Sequence, residues 1–469
     1  MADKTQLVVV GAGPGGYAAA FHAAVLGLEV ALVDPEANPG GVCLYRGCIP
    51  SKALLHAAKV IHEARAAAEF GVRFGEPAID VGRLRAWKDG VVGKLTGGLG
   101  QLTRQHKVRY VRGRARLLDA STLEIEEAAG GTTRLTFDHA LLATGSRPVG
   151  LPGFPASPRV LDSTSALEIE SVPGRLLVVG GGYIGLELGS VYAALGSRVT
   201  IVEMLPGLLP GVDRDLVRPL LKRLEAECEA IRLETRVAAV EEQGAGLAVR
   251  FDGAAEPERF DKVLVAVGRK PNSEGIGLEG TRVRIDERGF VEVDAQLRTA
   301  EPSLSAIGDL VGQPMLAHKA SHEARTAVEA IAGRKVAFEP AAIPAVVFTD
   351  PEIAWCGLTE DEAKAQSRPV EIARFPWAAS GRALTLGRDD GLTKLVLEPG
   401  SERVLGVGIA GPGAGELIAE GVLAVEMGAT ARDLALTIHP HPTLSETVME
   451  AAEVFFGAST HVFRPKRRG

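Results

Sequence analysis

Cys43-Leu44-Tyr45-Arg46-Gly47-Cys48 holds two of the chain's four cysteines, and Ile49-Pro50-Ser51-Lys52 follows at once. Two thiols this close can exchange electrons with a disulfide, because a thiolate attacks a sulfur–sulfur bond and a neighbouring thiol can complete the exchange. A structural disulfide, a half-built metal site and two unrelated thiols are the other readings of the pair alone. On one regular helix, positions five apart would lie about 140° round the axis. A bond between the two therefore requires a distorted helix, which Gly47 eases, and strain there would favour reducibility.

A base near neutrality would serve such chemistry, since a free thiol has a pKa of about 8.5. The candidate is His441 in His439-Pro440-His441-Pro442-Thr443-Leu444-Ser445-Glu446. Glu446 could hold the ring tautomer and raise its basicity. A histidine between prolines can equally pack in a turn. Cys228 and Cys356 stand alone and read as packing residues.

Glycine loops must position these groups. Leu7-Val8-Val9-Val10 reads as a buried strand entering Gly11-x-Gly13-x-x-Gly16, then an alanine-rich helix to about Leu26, then a strand from Val30 that ends in Asp34. The first glycine allows a tight turn, the second lets a pyrophosphate approach, and the third lets helix pack on strand. The acid accepts a ribose hydroxyl. The pattern recurs as Leu176–Val179, Gly180-Gly181-Gly182-Tyr183-Ile184-Gly185, and a strand Val199–Val202 ending in Glu203. Gly180 and Glu203 stand at the same interval as Gly11 and Asp34, so the chain is expected to bind two different dinucleotides. A carboxylate at Glu203 favours NAD over NADP, and Met204-Leu205-Pro206-Gly207 supplies no arginine for a 2′-phosphate.

A length of 469 residues suggests about two to four domains. Apolar content of 46% with 24% charged residues describes a soluble globular protein, and the net charge of −7 argues against nucleic acid as a partner. The tail Arg464-Pro465-Lys466-Arg467-Arg468 reads as a frayed basic end. So few cysteines exclude a secreted disulfide scaffold and fit a reducing cytoplasm. Leu7–Leu28 carries no charge over a membrane-spanning length, but its glycines suit a strand, turn and helix, and no targeting segment is expected. Boundaries fall at Gly/Pro clusters, dividing the chain into 1–150, 151–273, 274–344 and 345–469. The last segment is expected to be α+β, with strands near Leu395–Leu397 and Val404–Ile409 and helices over Glu416–Met427 and Leu444–Phe456.

Read from Gly40 to Leu55, and then along the whole chain, the sequence resembles the dihydrolipoamide dehydrogenases. These are flavoprotein disulfide reductases of the class I pyridine nucleotide-disulfide oxidoreductases. Ala143-Thr144-Gly145-Ser146-Arg147-Pro148, Gly180–Gly189, Val267-Gly268-Arg269-Lys270-Pro271-Asn272, Ser305-Ala306-Ile307-Gly308-Asp309 and His439–Glu446 resemble the family's motifs in the family's order. The resemblance implies an α/β fold with two Rossmann-like domains, for FAD and NAD, and a C-terminal α+β dimerisation domain. Gly11, Gly13, Gly16 and Asp34 would hold the adenosine half of FAD, with Thr144, Gly145 and Asp309 along the rest of it. Gly180, Gly182, Gly185, Glu203 and Gly268 would hold NAD. Cys43 would meet the lipoyl group, Cys48 would stack on the flavin, and Lys52 and Glu187 would pair near it. His441, oriented by Glu446, would be the acid–base residue of the partner chain in a homodimer.

The implied reaction oxidises protein-bound dihydrolipoamide with NAD+ through the disulfide and FAD. A lipoylated carrier of a multienzyme complex would be the partner, since the chain begins shortly before its first strand and has no lipoyl domain of its own. A related reductase of another small disulfide, and a mainly structural flavoprotein subunit, are the alternatives. No metal is expected: His318 and His322 have a suitable spacing, but they adjoin the flavin-type segment. Where the family commonly has Asn-Val, this chain has Tyr45-Arg46. Arg46 would stabilise a thiolate if it faced the cysteines, and would have no redox role if it pointed away.

Overall fold

In the computed structural model, which describes residues 3–463, the first sheet grows around Asp3–Val10. This strand pairs in parallel with Val30–Asp34 on one side and Thr132–Leu142 on the other. Arg109–Asp119 extends the sheet beyond Val30–Asp34, and Leu304–Ala306 closes it beside Ala140–Leu142. The parallel strands are buried on both faces. Val8, Val10, Ala31 and Val33 enter one core, whereas Leu7, Val9, Val30 and Leu32 enter another under helices Pro14–Val25 and Ala317–Ile331. That two-sided burial explains why the strand reads as an unbroken apolar run.

The first strand begins at Asp3, four residues before the apolar run. Asp3-Lys4-Thr5 pairs with Leu135-Thr136-Phe137, and since its own residues are polar, their hydrophobicity gives no signal of the strand.

The second sheet is parallel throughout, in the order Ala230–Arg232, Arg198–Val202, Arg175–Val179, Lys262–Val265, Val160–Leu161. Its glycine loop leads into helix Tyr183–Ala194. The two units are crossed by an antiparallel pair, Ser146–Pro148 with Arg269–Pro271. The C-terminal part is a five-stranded antiparallel sheet that includes Leu392–Leu397 and Val404–Ala410, with helices Ala414–Glu426 and Glu446–Phe456. The architecture is thus α/β, with two Rossmann-like units and an α+β C-terminal region.

These parts share cores. Leu54, Leu176, Leu186, Val347 and Ala410 belong to one apolar cluster. Lys394, 1% exposed on the C-terminal sheet, contacts Asp213 at 2.6 Å, Asp215 at 2.9 Å and Glu360 at 3.0 Å. A buried ammonium needs such partners, and two of them come from the entry to helix Arg214–Glu227 in the second unit. Leu7–Leu28 folds as strand, turn and helix, and among the described residues no helix is long and apolar enough to cross a membrane. The tail Arg464–Arg468 lies outside the described residues.

Candidate active site

The two glycine loops solve one backbone problem twice. Gly11 (φ +98°) and Gly180 (φ +112°) are left-handed, and a side chain there would strike the carbonyl of Ala143 or Ala266. A side chain at Gly16 or Gly185 would strike the carbonyl oxygen of Gly11 or Gly180, so those positions serve helix packing. The middle glycines are open: Gly182 has nothing within 4 Å, and Gly13 meets only the Gly41 Cα at 4.0 Å. The space a Cβ would fill is the space a pyrophosphate needs, so both loops fit a dinucleotide. Each acid is aimed by backbone donors. Asp34 accepts from the N–H of Ala12 at 2.7 Å and Glu36 at 2.9 Å, and Glu203 from Gly181 at 2.7 Å and Leu205 at 2.8 Å.

The first loop opens on a cavity of about 620 Å³. Asp34 and Gly113–Ala115 line it, and so do Cys43, Cys48, Lys52 and Glu187. Gly11, Gly13, Gly16, Thr144, Gly145 and Asp309 also line it. Its volume, within the range of cofactor sites, and its lining by the first glycine loop fit FAD.

The redox segment is two helices, Gly41–Arg46 and Cys48–Ala66, broken at Gly47 (φ −146°, ψ −116°). A side chain on Gly47 would lie 2.9 Å from the Val42 carbonyl oxygen, so the break excludes larger residues. It brings the cysteines together as free thiols that hydrogen-bond to each other. The hydrogen bond from Cys43 lowers the Cys48 pKa; burial opposes this and Lys52 adds to it, leaving Cys48 at about 7. The same hydrogen bond, with burial, pushes Cys43 up. The hydrogen bond and Lys52 thus favour the charged form at Cys48 over that at Cys43.

Arg46 points away from this thiolate. It pairs with the carboxylate of Glu36, and Tyr45 Oη donates to the Asn38 carbonyl at 3.0 Å.

Lys52 Nζ lies 2.7 Å from Glu187 Oε2 and 4.5 Å from the centre of the Phe348 ring. Glu187, 3% exposed, accepts a second hydrogen bond from the Phe348 N–H at 3.0 Å. Asp309 accepts from Ser146 Oγ at 2.5 Å, and Ser146 Oγ in turn accepts from Arg269 Nε at 2.7 Å. Ser146 and Arg269 lie in motifs singled out above, but no role was assigned to them. Their pairing spans the crossing strands, which local spacing does not reveal.

The second loop opens on a cavity of about 830 Å³, lined by Gly180, Gly182, Glu203 and Gly268 among largely apolar neighbours such as Phe154 and Trp355. Gly185 is not on its wall; it sits beneath the loop. Arg236, distant from Glu203 in sequence, also lines this cavity. Tyr183, Ile184, Arg269 and Met315 line both cavities, so the two are neighbours.

His441 and Glu446 lie on neither wall. His441 Nδ1 is 2.9 Å from Glu446 Oε1, with the imidazole 72% exposed. Burial works to raise Glu446, but the Thr443 N–H and His441 outweigh it and hold the carboxylate below its ordinary range. A fixed anion thus orients a ring that faces outward.

Residues 5–324 match the family described as pyridine nucleotide-disulphide oxidoreductase, and residues 343–452 match that family's dimerisation domain. A dihydrolipoyl dehydrogenase of Vibrio cholerae is 49% identical over 99% of this chain and 98% of its own length. One from Geobacillus stearothermophilus is 46% identical over 98% of each. Among solved structures, LpdA from Mycobacterium tuberculosis superposes with a TM-score of 0.90 at 27% identity, covering 96% of this chain and 99% of that one. With two matched loops, a thiol pair facing one of them, and these likenesses along its length, the chain belongs to the pyridine nucleotide-disulphide oxidoreductase family.

Proposed function

We propose that this chain is a dihydrolipoamide dehydrogenase, oxidising protein-bound dihydrolipoamide to lipoamide and reducing NAD+. One observation carries the reading: Cys43 and Cys48 face a single cavity together with a dinucleotide loop, the Lys52–Glu187 pair and Asp309. The near-full-length likeness to dihydrolipoyl dehydrogenases supports the same substrate. Residues 1–150 and 274–344 would hold FAD, 151–273 NAD, and 345–469 a second copy of the chain.

Substrate oxidation starts from the Cys43–Cys48 disulfide. His441 of the partner chain takes a proton from dihydrolipoamide, whose thiolate attacks Cys43 and expels Cys48 as thiolate. The second substrate thiol then attacks the mixed disulfide, releasing lipoamide and leaving both cysteines reduced. FAD held there would supply the two-electron link from the dithiol to NAD+, with one of the two protons released passing to solvent. Lys52 stabilises the Cys48 thiolate, while Glu187 fixes Lys52 and compensates its charge.

The exposure of the His441 imidazole, and of Leu436 and Ile438 a few residues before it in sequence at 75% and 95%, supports placing this segment against a second copy of the chain. A lipoylated carrier and a reducing cytoplasm complete the reading. Mixing purified protein with dihydrolipoamide and NAD+ tests it. NADH formation is expected, and Cys48→Ser should lower it by on the order of a thousandfold or more. Undiminished turnover in Cys43→Ser would sink the proposal.

A further inference from the structure

We infer that Tyr45 and Arg46 clasp the adenosine end of the FAD site, so that the redox loop retains the flavin rather than tuning its own thiols. The inference rests on reading the first cavity as the FAD site. The chain between the acid Asp34 and the redox helix is short, and it is pinned at successive residues. Glu36 N–H donates to Asp34, Tyr110 Oη donates to the Glu36 carbonyl at 3.0 Å, and Gly40 N–H donates to the Ala12 carbonyl at 2.8 Å. Two further pins come from the redox loop itself: Tyr45 Oη on the Asn38 carbonyl and Arg46 on the Glu36 carboxylate.

Charge gives these pins a consequence for the cofactor. Asp34, Glu36 and Arg46 all line the cavity. Without Arg46, the Glu36 carboxylate would stand unpaired beside Asp34, toward a ligand whose pyrophosphate is itself anionic. Burial already raises Asp34, and the Arg46 guanidinium works against that rise. Arg46 thus offsets the Glu36 carboxylate directly, and with Arg114 on the same wall it makes this rim tolerable to an anion. Committed to Glu36, it does not face the thiols.

The test follows FAD release from the holoenzyme at graded guanidinium by the rise in free-flavin fluorescence, beside the disulfide's reduction potential. Arg46→Val is expected to lose FAD on the order of fivefold faster than wild type, the effect a partly exposed ion pair supports. Tyr45→Phe should show a smaller acceleration. The potential should be unchanged in both, and so should the melting temperature of the apoprotein, which a merely structural role would lower. Glu36→Arg combined with Arg46→Glu should restore retention. Unchanged FAD release in Arg46→Val, a shifted potential, or an equal loss of apoprotein stability would each overturn the clasp. If wild-type protein binds no flavin at all, the cavity reading fails instead, and the two failures are distinguished by that control.

Discussion

Behind the first dinucleotide loop, the redox helix comes so close that a Cβ on Gly41 would lie 2.5 Å from the Gly13 Cα. Beside the second loop, Gly182 faces nothing within 4 Å. The fingerprints match glycine for glycine and acid for acid, yet their surroundings differ. The first is walled by thiols, an ion pair and the segment around Asp309; the second opens on a larger, mostly apolar cavity. Backbone geometry thus specifies what kind of molecule binds, and the neighbours decide whether it stays. A resident cofactor suits the first surroundings and an exchanging one the second.

Substitutions can break this comparison at several depths. Gly16→Ala and Gly185→Ala should be the most damaging and about equally so, each costing on the order of 2–3 kcal/mol by driving a methyl into a backbone carbonyl. Thermal melting of the apoprotein checks this, and tolerance at one site alone would show that the loops are not equivalent. The middle glycines should then separate the sites. Gly13→Ala should strip FAD from the purified protein, whereas Gly182→Ala should leave FAD in place and raise the KM for NAD+ on the order of tenfold.

A smaller effect concerns the wall of the first cavity. Lys52→Met removes a cation that favours the charged form of Cys48, so the thiolate titration in the reduced enzyme should move upward from about 7. A downward or absent shift would place the acidity of Cys48 elsewhere. Smallest of all, Glu203→Gln removes repulsion toward a 2′-phosphate while Arg236 remains on the cavity wall. The ratio of kcat/KM for NAD+ over NADP+ should fall, by on the order of fivefold. An unchanged ratio would mean that the carboxylate does not set the preference.

Both loops were legible in the sequence because strand, glycines and acid fall within one short span, where spacing implies geometry. The His441–Glu446 pair was legible for the same reason. The Lys52–Glu187 contact was not, since its partners lie 135 positions apart and only the family resemblance joined them. Nor was the meeting of Ser146 and Arg269, 123 apart, since it depends on two strands crossing between sheets. Arg46 shows a different limit. Its partner Glu36 is only ten positions away, but a loop intervenes, and no periodicity says which way a side chain leaves a helix before a break. The first strand's start at Asp3 was hidden because Asp3, Lys4 and Thr5 are polar, although they pair with the buried Leu135 and Phe137 stretch.

Glu187 has a consequence for modularity. Its carboxylate belongs to the second unit, yet its two hydrogen-bond partners are Lys52 of the redox helix and the main chain of Phe348 in the C-terminal part. The chain is therefore not a set of interchangeable cassettes. A chimera that imports a foreign nicotinamide segment will work only if the donor carries an acid at this position. A donor with leucine there would strand a lysine beside the flavin and leave a backbone donor bare, damage visible in the recipient parts although no residue of theirs had changed.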